Sequence, residues 1–266
     1  LDDQAALERR VPPVAPGGTV RYFGDYELLE EIARGGMGVV YKARHAYLKT
    51  QLAIKIILPD LVGNDPQLVT RFRQEALAAA AIRHQNVVAV TDYGVIGGSI
   101  PFLVMEYVAG ENLAQVTRRR LPLPNAEATA YLRPVAQALV YAHAHGVIHR
   151  DLTPTNILIE RESGRVVATD FGLARIARGT GSLTATGVLL GTPEYWSPEL
   201  ALGRESGAEA DLYALGCILC LLLSGSLPFE GEDRLAVGLR RAHDDAPSLA
   251  VLRPGAPRAA VELVDA

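Results

Sequence analysis

Up to about Gly110 the chain is written in short runs of β-branched, aromatic and aliphatic residues broken by glycines; beyond it the runs lengthen to helical size. That change of texture constrains the fold more than any other feature. YELLEEIARGG followed by GVVYKARH reads as strand, Gly-rich turn, strand. LAIKIIL, residues 52–58, reads as a short apolar strand, and VVAVTDYGVI and PFLVMEYV as two more. The exception is DPQLVTRFRQEALAAAAIRH, residues 65–84, which has the Ala-rich periodicity of a helix with Asp65 and Pro66 at its start. Later, NAEATAYLRPVAQALVYAHAHG, residues 125–146, predicts a helix with Asn125 as N-cap, Gly146 as its stop and Pro134 as a kink point. A strand-rich part with one helix followed by a helix-rich part predicts an α+β protein of two lobes, joined near residues 106–111, with no internal repeats.

The run LYALGCILCLLL, residues 212–223, raises the question of a membrane span. Its length makes about 18 Å of helix, short of the roughly 30 Å hydrocarbon core, and Asp211 opens it. It is read as a fully buried core helix, and its Cys217 and Cys220, the only cysteines, as buried thiols rather than a redox or metal pair. A net charge of −4 argues against nucleic acid as the main partner, and Arg118-Arg119-Arg120 is read as a solvated helix end. Residues 1–10 are charged, without a signal peptide's apolar stretch, and VPPVAPGG at 11–18 reads as a linker. The chain opens on Leu and closes on what reads as an unfinished amphipathic helix, so a fragment of a longer protein is expected.

Three places carry chemistry. Gly35, Gly36 and Gly38 lie in a turn between two strands, where missing side chains let backbone N–H groups approach an anion; such clusters are more often plain hairpin turns. Lys55 stands alone in LAIKIIL: either it snorkels out at a sheet edge or it serves a buried anion, with Glu75 in the following helix as a candidate partner. HRDLTPTN at 149–156 and DFG at 170–172 place Asp151, Asn156 and Asp170 in loops. These are hard oxygen ligands of the type Mg²⁺ takes, although loop Asp and Asn more often cap turns.

In this order and at these separations, the Gly-rich strand turn, strand lysine, helix glutamate, HRDxxxxN and DFG resemble the eukaryotic-type (Hanks-type) serine/threonine protein kinase family. GGMGVVY and GVIHRDLTPTNIL are most similar to its bacterial branch. The likeness runs from about Tyr26 to the end and includes GTPEYWSPE, residues 191–199, similar to the family's substrate loop and A-P-E element. It implies the two-lobed protein kinase fold: a small antiparallel-sheet lobe with one helix (26–107) and a larger, mostly helical lobe (108–266) cut short at its C-terminus, with 1–25 as an extension or linker. It also implies transfer of the ATP γ-phosphate to Ser/Thr hydroxyls of proteins, the chain's own activation loop included, with ATP and Mg²⁺ as cofactors.

The roles the resemblance implies are these. Ile32, Ala33, Gly35, Gly36 and Gly38 would cover the phosphates, Val40 and Ala53 pack on the adenine, Met105 guard the back of its pocket, and Leu158 close it from below. Backbone groups of Glu106 and Val108 would bond the adenine edge and Asn112 touch the ribose. Lys55, oriented by Glu75, would hold the α- and β-phosphates; Asp151 would accept the hydroxyl proton; Asn156 and Asp170 would hold Mg²⁺. His149 would brace the loop and Asp211 anchor it. Arg150 before the catalytic aspartate marks control by phosphorylation, with Thr184 or Thr186 as the modified residue.

Three departures stand out. Ala33 occupies the place of the family's first glycine. Thr153 replaces a lysine that would neutralise the γ-phosphate, a loss on the order of 3 kcal/mol or a hundredfold in rate; its hydroxyl offers a hydrogen bond but no charge. Glu199 would lack the arginine that the family supplies further on. Ala33 and Thr153 are the support for an alternative, a pseudokinase acting as an ATP-binding scaffold. The expected partners are Ser/Thr-bearing proteins, not nucleic acid. No membrane contact is expected from this segment, although kinases of this branch often continue into a membrane span, and nothing in the sequence supports a dimer. The expected location is the cytoplasm.

Overall fold

A computed structural model describes residues 21–58, 67–97, 99–172, 192–231 and 234–265. The chain divides into two compact units, one made of residues up to Ala81 with Ala89–Tyr107, the other of Ile82–Val88 with Val108–Ala266.

The first unit is built on a six-stranded antiparallel sheet of order β1-β2-β3-β4-β6-β5. Its strands are β1 (Arg21–Phe23), β2 (Tyr26–Arg34), β3 (Gly38–His45), β4 (Gln51–Ile57), β5 (Val90–Ile96) and β6 (Ile100–Glu106). One helix, α1 (Leu68–Ala81), packs on β5 and β6. Tyr26, Leu28, Val39, Tyr41, Ile54, Ile56, Phe102 and Val104 form the buried core of the sheet, as the β-branched and aromatic runs require. Helix α1 buries Leu68, Phe72, Ala76 and Ala79, a helical stripe, and Phe72 meets Tyr93 of β5 at 5.9 Å between ring centroids. Glu27 is buried opposite Arg44 in the β2–β3 register and accepts from its Nε at 2.8 Å. The expected helix start at Asp65 and Pro66 lies outside the described residues.

The second unit opens with β7 (Gly110–Asn112), α2 (Leu113–Arg119) and α3 (Asn125–Ala144). Strands β8 (Ile157–Glu160) and β9 (Val166–Ala168) follow, and β7-β8-β9 form a small antiparallel sheet. Gly110 belongs at that pairing, since a Cβ there would stand 1.9 Å from the Ile159 carbonyl oxygen. Then come α4 (Pro198–Ala201), α5 (Ala208–Ser224), α6 (Arg234–His243), α7 (Leu249–Leu252) and α8 (Arg258–Val264). Helix α5 contains the apolar run, with Cys217 and Cys220 free and buried. No helix of the described residues is long and apolar enough to cross a membrane. Burial pushes both thiols up from their ordinary pKa, which keeps them inert at neutral pH.

Two helix details differ from the sequence expectation. Asn125 is the first residue of α3, not its cap; Pro124 takes the cap position with extended backbone. The Asn125 side chain instead accepts from Arg253 Nη1 at 2.9 Å, tying the start of α3 to the C-terminal helices. Helix α3 runs on through Pro134 and ends before Gly146, whose φ of +74° only glycine adopts easily.

Residues Ile82–Val88 lie within the second unit. Val88 N–H donates to the Ala168 carbonyl at 2.9 Å, Ala168 N–H to the Asn86 carbonyl at 2.9 Å, and Asn86 Nδ2 to the Val166 carbonyl at 2.8 Å. The segment thereby adds a bridge alongside β9.

Candidate active site

In the second unit HRDLTPTN hangs from a single carboxylate. Asp211, near the start of α5, is 1% exposed. Its Oδ2 accepts from His149 N–H at 2.8 Å and meets His143 Nε2 at 2.8 Å, while its Oδ1 accepts from Arg150 N–H at 2.8 Å. These bonds hold Arg150 at φ +65°, the left-handed region that non-glycine residues avoid. The His149 ring is fully buried against Phe171, with centroids 4.7 Å apart. Its Nδ1 accepts from Asp151 N–H at 3.3 Å, so its Nε2 carries the proton and donates to the Thr169 carbonyl at 2.9 Å.

Asn156 closes the loop. Its Nδ2 donates to the Asp151 carbonyl at 2.8 Å, and its own carbonyl accepts from Thr169 N–H at 3.0 Å. A 3₁₀ turn at Pro154–Asn156 makes this return. Asp170 follows Thr169 directly and is also held left-handed, at φ +66°. The expected trio Asp151, Asn156 and Asp170 is thus brought together by main-chain bonds. Two carboxylates and an amide whose N–H is already spent leave an oxygen donor set, which fits a hard divalent cation.

Thr153 is the departure on which the structure bears most directly. It is 2% exposed, and its hydroxyl lies 2.7 Å from the Thr155 hydroxyl. That hydroxyl is shared with Thr155 inside the loop, and either oxygen can be the donor.

In the first unit, register sorts the nucleotide candidates. Val40 pairs with Lys55 across β3–β4, Ala53 pairs with Met105 across β4–β6, and Ala33 pairs with Val40 across β2–β3. With a side-chain period of two, Ala33, Val40, Lys55, Ala53 and Met105 share one face of the sheet. Ile32 falls between shifted registers of β2 and is exposed. Lys55 is 8% exposed and β4 lies inside the sheet, so a lysine snorkelling at an edge is ruled out. Glu75 is half-buried on α1. Gly35 N–H donates to the Gly38 carbonyl at 3.0 Å, closing the turn that contains Gly36. A Cβ on Gly35 would meet nothing within 4 Å, so the turn is open to a ligand there, whereas one on Gly38 would stand 2.4 Å from the Ile56 carbonyl oxygen. Glu106 N–H is committed to the Ala89 carbonyl at 2.9 Å.

In the second unit Val108 is half-buried, and half-buried Leu158 pairs with Asn112 across β7–β8. The Asn112 side chain is engaged elsewhere. Its Oδ1 accepts from Gln115 N–H, and Gln115 Oε1 accepts from Asn112 N–H, both at 2.9 Å, a capping box for α2. Thr184, Thr186 and Gly191 lie outside the described residues.

Sequence reasoning did not single out His143, Asn86 or Arg241. His143 is the penultimate residue of α3, and its spacing to HRD carries no signal without the fold.

Residues 26–250 match the family described as the protein kinase domain. The probable serine/threonine-protein kinase PknB of Lactococcus lactis is 38% identical over 245 residues, covering 92% of this chain and 39% of that protein. The serine/threonine-protein kinase PrkC of Bacillus subtilis is 36% identical over 244 residues, covering 92% of this chain and 37% of that one. The chain therefore spans under half the length of these curated relatives. The kinase domain of Mycobacterium tuberculosis PknI superposes with a TM-score of 0.71 at 28% identity, covering 95% of this chain and 91% of that chain.

Proposed function

The chain belongs to the protein kinase domain family, with bacterial serine/threonine kinases as its relatives, and from that premise we propose that it transfers the γ-phosphate of ATP to Ser and Thr hydroxyls of proteins, Thr184 or Thr186 of its own chain among them. The observation that supports this most is the Asp211-anchored loop, which fixes Asp151, Asn156 and Asp170 through buried and part-buried hydrogen bonds.

Asp151 accepts the proton of the acceptor hydroxyl as its oxygen bonds to the γ-phosphorus. The bond from that phosphorus to the bridging oxygen breaks, and ADP leaves with the electron pair. Lys55, oriented by Glu75, holds the α- and β-phosphates. Gly35, Gly36 and Gly38, with Ile32 and Ala33, cover them. In the first unit Val40, Ala53, Met105 and the backbone of Glu106 would meet the adenine; in the second unit Leu158 and the backbone of Val108 are the candidates for it. Asn112, whose Oδ1 serves the α2 cap, would touch the ribose through its Nδ2. Asn156 and Asp170 would hold Mg²⁺, which when bound draws charge from the phosphate oxygens. Arg150 would pair with a phosphate on Thr184 or Thr186. Most of this catalysis is positioning, so a rigid loop matters more than reactive groups. ATP as donor places the domain in the cytoplasm, with attachment of a longer protein to a membrane left to other segments.

The test of residue type uses casein as acceptor with γ-labelled ATP and Mg²⁺. Label recovered on phosphoserine and phosphothreonine is expected; label confined to phosphotyrosine would refute the serine/threonine reading. Thr153 favours a second reading, an ATP-binding scaffold, because it offers a phosphate no charge and its hydroxyl is buried against Thr155. ATP binding with no label on any acceptor would select it.

A further inference from the structure

Arg241 is a buried cation whose hydrogen-bond partners among the described residues are all neutral groups. It lies on α6 and is 2% exposed. Its Nη2 donates to the Glu194 carbonyl, and its Nη1 donates to the Trp196 carbonyl at 3.3 Å and the Cys217 thiol at 3.5 Å. The rings of Tyr213 and Phe229 flank the guanidinium, 5.8 and 5.5 Å from its central carbon. Its Nε is buried without a hydrogen-bond partner among the described residues. Neither Cys217 nor Tyr213 supplies a negative charge: burial raises the pKa of both, Tyr213 to about 12, so both stay neutral, and no described residue forms an ion pair with Arg241.

Stability alone does not account for such a residue. A charge removed from water without a counter-ion is costly, and an apolar side chain of similar volume would fill the space more cheaply. What the guanidinium does that an apolar group cannot is reach two carbonyls at once with a planar fork. Those carbonyls belong to Glu194 and Trp196, on either side of Tyr195, and they bracket the end of the 3₁₀ turn Pro193–Tyr195. Trp196 N–H bonds back to Pro193 at 3.2 Å, and Ser197 then caps α4. Fixing two main-chain oxygens therefore fixes the path of 194–196 and the direction of α4. The stacked rings add cation–π attraction and hold the fork in plane.

We propose that Arg241 is a positioning residue for the acceptor protein: it clamps the Glu194–Trp196 main chain, so that the loop which receives the acceptor is shaped before the acceptor arrives. This rests on the reading of GTPEYWSPE as the substrate loop. None of Arg241's described contacts lies on Lys55, Asp151, Asn156 or Asp170, so its loss acts on acceptor binding and leaves nucleotide handling alone. Preorganisation of this kind lowers the ordering cost of binding.

The test uses the full chain with Arg241→Lys and Arg241→Met. The acceptor is a synthetic peptide with the sequence of residues 178–190, and hydrogen exchange is followed by mass spectrometry. Arg241→Lys keeps the charge but loses the fork. It is expected to raise the KM for the peptide about tenfold, leave the KM for ATP and kcat within about twofold, and speed exchange across 192–201 alone. Arg241→Met should do the same more strongly. An unchanged peptide KM in folded Arg241→Lys would overturn the proposal. So would a joint shift of kcat and both KM values, the sign of a merely structural role. If Arg241→Met does not fold, Arg241→Lys carries the test, and failure of both to fold overturns it. A wild-type chain with no transfer at all would instead sink the proposed activity; exchange across 192–201, which needs no turnover, would still show whether Arg241 holds the loop.

Discussion

Asp211→Asn isolates the link between α5 and the catalytic loop. The carboxylate serves the His149 and Arg150 N–H groups and His143 Nε2, each at 2.8 Å. An amide keeps one oxygen and turns the other into a donor. With the oxygen kept toward His149 and His143, an NH₂ faces Arg150 N–H, and two buried donors lose their acceptor at about 1–3 kcal/mol each. The remaining bonds weaken as their acceptor loses its charge, by about 1 kcal/mol each. The sum is about 4–8 kcal/mol, set against typical domain stabilities of about 5–15 kcal/mol. Part of it is relieved if Arg150 leaves φ +65° and the loop lets go locally. About 3 kcal/mol expressed in that way lowers kcat roughly a hundredfold, with the KM for ATP little changed because Lys55 and the Gly-rich turn are untouched. Steady-state kinetics with urea unfolding measures both parts. A variant with kcat within threefold of wild type and an unshifted urea midpoint would refute the reasoning, since buried donors cannot lose their acceptor at no cost.

Gly38→Ala places a Cβ against the Ile56 carbonyl oxygen; it should lower stability by about 1–3 kcal/mol through separation of β3 from β4, read as a lower urea midpoint. Thr153→Lys frees Thr155 and returns a cation to the loop; turnover should rise, by up to about a hundredfold, with ATP affinity unchanged by calorimetry, and an unchanged rate would show that the site already compensates. Tyr26 donates to Asp92 Oδ2 at 2.9 Å, and burial, with Asp92 second, raises its pKa from 10.0 to about 12. A folded-state pKa above the unfolded one stabilises below pH 10 and is lost as pH rises through 12, so alkaline melting should be steeper in wild type than in Tyr26→Phe across that window.

The alternation of GVVYKARH and LAIKII set two strands and their facing directions, and the shared face of Val40, Lys55, Ala53 and Met105 follows once register is known. What the sequence left open on Lys55, edge or interior, was a matter of strand order, which no local pattern contains. The catalytic loop was legible because its residues are contiguous, and Asp211 because the likeness supplied it. His143, Asn86 and Arg241 act from elements distant in sequence, in runs such as AHAHG and LRRAH that carry no local mark of a partner. Asn125 misled for a physical reason: it is a good cap residue, yet Pro124 before it already has the extended backbone a cap needs. Thr153 showed as a departure in sequence, but its burial and its bond to Thr155 are visible only in the structure.

The central claim is that Asp151 takes the acceptor's proton in a site that binds ATP. The most direct measurement incubates the chain and Asp151→Asn in parallel with γ-labelled ATP and Mg²⁺, maps the products by mass spectrometry and measures ATP affinity by calorimetry. The expected result is label on Thr184 or Thr186 of the wild type, at least about a hundredfold less in Asp151→Asn, and equal ATP affinity. Equal labelling of both proteins, or ATP binding by the wild type with no label on the chain or on casein, would contradict it.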